Sequence, residues 1–122
     1  MIVEKNISLS QIEEAMKAEE FGTDIIQSGS NVAVIMSQSW CPQWHMVKSF
    51  LSRLNREGRP EEIDIDVYEI VYDQLEIFHQ FLRFKEETFG NDLIPYIRYY
   101  KNGSFMTSTN YVSESFFVRQ FE

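Results

Sequence analysis

Cys41 is the one cysteine in the chain, and it stands in the run Trp40-Cys41-Pro42-Gln43-Trp44-His45. A thiol becomes a nucleophile and a redox centre when it ionises. The start of a helix favours that form through unpaired backbone N–H groups and the positive end of the helix dipole. Pro42 suits the first turn of a helix, so Cys41 is expected at such a start. His45, four residues on, is a candidate thiolate partner of the kind found in Cys–His pairs, with a solvated surface histidine as the alternative. Trp40 and Trp44 flank the thiol. Indoles there serve either as an apolar, stacking rim or as core packing, and the helical spacing favours packing for Trp44. A lone cysteine cannot resolve its own mixed disulfide, so release needs an outside thiol such as glutathione. The competing reading is an inert thiol held as a small hydrophobe. No metal site is expected, because Cys41, His45 and His79 show no paired ligand spacing.

These residues need a scaffold, and 122 residues with 43% hydrophobic content suffice for one domain over residues 1–122. A net charge of −8 argues against nucleic acid or an anionic membrane as partner, since both demand clustered Lys and Arg. The longest apolar run, residues 32–36, falls far short of the roughly 20 residues of a membrane span. The charged N-terminal residues lack the pattern of a secretory signal, and a cytoplasmic location is the expectation. The acid-rich stretch 57–76 reads as a solvated edge.

Ser10 and Glu13 fit a capping box for a first helix carrying Ile12, Ala15 and Met16, and Thr23 or Asp24 is placed to cap a short second one. Residues 32–36 read as a central strand buried on both faces. A helix follows from Pro42 to about Glu57, with Val47, Phe50, Leu51 and Leu54 on its inner face and Gly58 as its stop. Residues 63–72 form a second strand whose alternating Asp64 and Asp66 suggest an edge or half-exposed place. A long helix is expected over residues 73–89. Two antiparallel strands then surround Lys101-Asn102-Gly103, because Asn-Gly supplies the positive φ angles of a tight hairpin. Ser113 caps a last helix with Phe116, Phe117 and Phe121, and an optional first strand lies near Ile2-Val3. The sum is an α/β arrangement with a small central mixed sheet flanked by helices.

A strand running into Trp40-Cys41-Pro42-Gln43-Trp44, then Ile94-Pro95, then Lys101-Asn102-Gly103, resembles the thioredoxin family over residues 31–122. The resemblance implies a thioredoxin-like fold, a catalytic Cys41, and a binding groove made by Trp40, Pro42, Ile94 and Pro95. It also implies a cis Ile94-Pro95 bond facing Cys41. Three departures mark a monothiol variant: Trp44 replaces the second motif cysteine, Ile35 replaces the family's buried acid, and an extended helix spans residues 76–87. The implied activity is thiol–disulfide exchange on mixed disulfides or on protein or peptide thiols. No bound cofactor is expected, and glutathione or another low-molecular-weight thiol would serve as cosubstrate. The alternative is a redox-inactive module that keeps the fold and its peptide groove.

Overall fold

The computed structural model describes residues 1–122 and contains one five-stranded mixed sheet. In chain order the elements are β1 (Ile2–Lys5), α1 (Leu9–Ala18), α2 (Thr23–Ile26), β2 (Asn31–Ser37), α3 (Pro42–Glu57), β3 (Ile65–Val71), α4 (Phe78–Glu87), β4 (Tyr96–Lys101), β5 (Ser104–Thr109) and α5 (Glu114–Arg119). The strands lie in the order β1-β3-β2-β4-β5. β2 pairs in parallel with β3 and antiparallel with β4, so it occupies the centre. Every residue of β2 is buried.

Its alternation feeds two cores. Ala33 and Ile35 point into one with Cys41, Trp44, Val47, Leu51 and Leu54 of the α3 side, while Val32, Val34 and Met36 point into another with Ile12, Ala15, Phe81 and Phe84 of α1 and α4. Each fully buried Val, Ile or Leu contributes roughly 1.5–3 kcal/mol. α3 begins with Pro42 and ends where Gly58 takes a positive φ of 65°, which suits glycine because no Cβ opposes it. No helix is long and apolar enough to cross a membrane.

Several local expectations need correction. The capping box of α1 is Ser8 with Gln11, in both directions, and not Ser10 with Glu13. α2 is entered from Gly22 without a side-chain cap, because Asp24 accepts from Gln11 at 2.7 Å instead. β3 is not an edge. The first strand is real and covers its outer side, with Ile2 opposite Ile65 and Val3 opposite Asp66. Asp66 is buried, and its carboxylate accepts from the Ser28 hydroxyl at 2.7 Å. The long helix expected from residue 73, and from residue 76 by resemblance, starts only at Phe78. A 3-10 turn over Tyr72–Gln74 precedes it and leaves Leu75 extended. Asp73 is committed there to a contact with Ser39 rather than to a helix cap. The hairpin turns at Asn102 and Gly103, both with positive φ, and the Ser113 hydroxyl caps α5 by accepting from the Phe116 N–H.

Candidate functional site

β2 ends at Ser37, the chain turns through residues 38–40, and Cys41 becomes the N-cap of the 16-residue helix α3. The Cys41 N–H donates to the Gln38 carbonyl at 3.1 Å, and its own carbonyl accepts from the His45 N–H at 3.2 Å. The sulfur makes no cap bond to the helix. Its one side-chain hydrogen bond is to Gln43 Oε1 at 3.6 Å, which accepts from the thiol. Cys41 is 1% exposed and belongs to the same core as Ile35, Trp44 and Ile97. The thiol thus sits where sequence placed it, at the strand-to-helix turn, but it is covered.

The turn itself is fixed by residues that carry no motif. The Ser39 N–H and hydroxyl both donate to the Asp73 carboxylate, at 2.8 and 2.5 Å. Trp40 Nε1 donates to Gln38 Oε1 at 2.8 Å, and Gln38 Nε2 donates to the Tyr72 hydroxyl at 3.3 Å. Parallel pairing explains this gathering. Ser37 of β2 lies opposite Val71 of β3, so the residues just beyond both strand ends meet. Gln38, Ser39, Gln43 and Asp73 were missed by sequence reasoning, because their convergence follows only from that register.

Burial pushes the Asp73 carboxyl up, but its bonds from Ser39 outweigh this and leave it below the ordinary carboxylate value. A depressed carboxyl contributes stability above its unfolded pKa of about 3.9 and loses it as pH falls through the folded value. The turn around Trp40 is therefore expected to hold at neutral pH and to loosen only below about pH 4. Asp73→Ala should produce at neutral pH the change in Trp40 fluorescence that wild type shows only in acid. Identical neutral spectra for the two proteins would contradict the clamp.

His45 is exposed, and its Nε2 lies 2.7 Å from the Ser39 carbonyl, to which it donates. Its role in the structure is thus to brace the turn, whereas the thiol bonds to Gln43 and not to His45. Trp44 is packed as its spacing suggested, 5% exposed, with its ring 4.8 Å from that of His45 and with Lys48 Nζ 5.0 Å above it. Ile35 is fully buried. Directly across from it on β3 stands Glu69, a carboxyl that burial pushes up and Lys48 partly draws back. Glu69 also escaped the sequence reading, although it continues the Ile65-Val67 face of that strand.

The Ile94-Pro95 peptide is cis, as the resemblance implied. Antiparallel pairing sets Tyr96 opposite Met36, so Pro95 arrives at the same end of the sheet as Cys41. Pro95 is buried, and Ile94 packs against both cores, including the one that holds Cys41. Around this end the apolar surface is open: Trp40 is 64% exposed and Leu93 60%, and Pro42 at the start of α3 is exposed too. The structure therefore assembles a covered thiol, an exposed indole and a proline-led strand at one end of the sheet.

No family model matches the sequence, and no curated protein shows significant similarity to it. Solved structures do resemble it. Oxidised thioredoxin O1 from Arabidopsis thaliana aligns with a TM-score of 0.62 at 13% identity, covering 97% of this chain and 92% of that one. Oxidised thioredoxin O2 from the same plant gives 0.60 at 12%, over 99% and 95% of the two chains. Oxidised thioredoxin from Plasmodium falciparum gives 0.57 at 16%, over 96% and 93%. Superposition along nearly the whole of each chain shows that this chain has the thioredoxin fold.

Proposed function

We propose that this protein binds an extended segment of a partner polypeptide at the Cys41 end of its sheet and exchanges its single thiol with a disulfide carried there. One observation supports this most: Cys41 is the N-cap residue of a 16-residue helix, at the end of the sheet that also carries exposed Trp40 and the cis Ile94-Pro95 step. The Cys41 thiolate attacks one sulfur of a mixed disulfide. A new S–S bond forms to Cys41, and the other sulfur leaves as a thiolate that takes up a proton. No second cysteine can displace the adduct. A low-molecular-weight thiol such as glutathione then attacks as its thiolate, carries the adduct away as a disulfide and returns Cys41 to the thiolate. Trp40 offers an apolar, stacking surface for the bound segment, and the backbone of Ile94 offers strand-like hydrogen bonds. Phosphate polymers and membranes are poor partners for a chain of net charge −8.

A second reading has its own support. Cys41 is 1% exposed and Trp44 is built into the core, as befits a module that binds through Trp40 and Leu93 without exchanging its thiol. Intact-mass spectrometry after incubation with glutathione disulfide separates the two. Exchange predicts a single adduct at Cys41 of the folded protein, removed by added glutathione. An adduct that forms only in denaturing urea would sink exchange and leave the binding module.

A further inference from the structure

Lys85, in the last turn of α4, is the only buried lysine, at 1% exposure. Its ammonium donates to the Asn91 carbonyl at 2.9 Å, the Leu93 carbonyl at 2.8 Å and Asn91 Oδ1 at 3.4 Å. Three donors meet three uncharged acceptors, and no carboxylate is among them. Glu86 on its own helix and Asp92 in the loop act on it only through charge, while the Tyr96 ring of β4 lies 5.5 Å from Nζ. Asn110, just beyond β5, closes the same loop from the other side. Its Nδ2 lies 3.0 Å from Asn91 Oδ1, 3.3 Å from the Leu93 carbonyl and 3.0 Å from the Pro95 carbonyl.

Burying a charge without a counter-ion is costly, and an apolar side chain would fill the same space more cheaply. What the ammonium adds is a point that draws the carbonyls of Asn91 and Leu93 inward. With the carbonyls of Asn91 and Leu93 turned in, the Leu93 side chain stands outward at 60% exposure and the chain passes directly into Ile94-Pro95. We propose that Lys85 is a positioning residue for the partner-binding edge: its buried ammonium holds the loop of residues 91–93 so that Leu93 and Ile94, ahead of the buried Pro95, present one fixed surface to a polypeptide seated beside Cys41. This rests on the reading of that edge as a binding surface.

The ionisation of Lys85 gives the proposal a signature. Burial pushes its ammonium down to about 8, against the opposing pull of Glu86 and Asp92. The neutral amine keeps two N–H donors for three acceptors and loses its ion–dipole attraction, so loop order falls as pH rises through about 8. Global stability moves the other way. The unfolded chain holds more protons between the folded value of about 8 and the ordinary 10.5, so this group's contribution to stability increases with pH over that window. A purely structural lysine would show only the second trend.

Two measurements test the proposal. In the first, the amide signals of Asp92, Leu93 and Ile94 are followed by NMR from about pH 6.5 to about pH 10 beside the Lys85 side-chain signal. All should shift together with a midpoint of about 8 in the wild type and stay flat in Lys85→Met. Loop signals that ignore the lysine's titration would overturn the proposal, and because this arm needs only the wild type it stands even if the variant fails to fold. In the second, the rate of Cys41 with a peptide carrying a pyridyl mixed disulfide is divided by its rate with dithiodipyridine, which has the same leaving group but no polypeptide. The ratio should fall severalfold between about pH 7 and about pH 9.5, be low and flat in Lys85→Met, and persist at the higher pH in Lys85→Arg. An unchanged ratio in Lys85→Met would also overturn the proposal. Failure of Cys41 to react with either disulfide would count against the proposed exchange, and the NMR titration would then decide the role of Lys85.

Discussion

Trp44→Cys is expected to form an intramolecular disulfide with Cys41 on mild oxidation. Position 44 lies three residues and about one helical turn beyond the N-cap, inside the roughly 7 Å between Cα atoms that a disulfide can span. Loss of both free thiols, with no dimer on a non-reducing gel, would show the bond. The change should also be costly, because an indole that is 5% exposed leaves the core, and such a truncation costs about 3–5 kcal/mol. Insulin reduction by the variant should stay slow, since Ile35, which shares a core with Cys41, is apolar and carries no group that could move a proton. Two thiols that remain free under oxidising conditions, or that pair only between chains, would contradict the geometry of the turn.

The second large effect lies on the opposite face of the sheet. Arg98 of β4 is buried, with Nε donating to the Tyr100 hydroxyl at 2.9 Å, Nη1 to the Tyr96 hydroxyl at 3.0 Å and Nη2 to Glu20 Oε2 at 2.7 Å. Its guanidinium is sandwiched between the rings of Phe89, 4.0 Å away, and Phe105, 4.1 Å away. The Tyr100 hydroxyl donates to the other oxygen of Glu20 at 2.6 Å. Arginine cannot shed its proton, so Glu20→Leu leaves a buried charge uncompensated and should cost about 3 kcal/mol, the lower end for a broken buried pair because Glu20 is partly exposed. Arg98→Met in the Glu20→Leu background should recover most of that loss, since well-packed apolar groups often replace a buried pair without penalty. Urea denaturation of the two single variants and the double variant measures both. A Glu20→Leu loss within about 0.5 kcal/mol of zero would mean the pair behaves like a surface ion pair.

Arg98 also shows where sequence stops being informative. The run Tyr96-Ile97-Arg98-Tyr99-Tyr100 reads as a strand, but nothing in it says that two hydroxyls, a distant glutamate and two rings will surround the arginine. The central strand and α3 were legible because local signals agreed: a β-branched apolar run, a proline at the helix start and a glycine at its end. Asn102-Gly103 was legible for the same reason. The helix cap was not, since Ser8-Gln11 and Ser10-Glu13 both satisfy the capping pattern and differ by little energy. β3 looked like an edge because its aspartates alternate, and only the pairing of β1 with its outer side and the bond from Ser28 to Asp66 reveal an interior strand. At the site, Cys41, Trp40 and Pro95 carried motif signals. The residues that hold them, Ser39 with Asp73 and Lys85 with Asn91, are matched only in three dimensions.

The most direct test of exchange at Cys41 is the deglutathionylation of a glutathionylated peptide by excess glutathione, read as the free peptide thiol and glutathione disulfide formed, with the wild type and with Cys41→Ser. The wild type should accelerate this reaction well above the uncatalysed rate, passing through a glutathione adduct on Cys41 that intact-mass spectrometry can trap. The serine variant, folded and with the same Trp40, Leu93 and Ile94 surface, should not exceed the background. Equal rates for the two proteins, or no adduct on the wild type, would contradict exchange at this thiol.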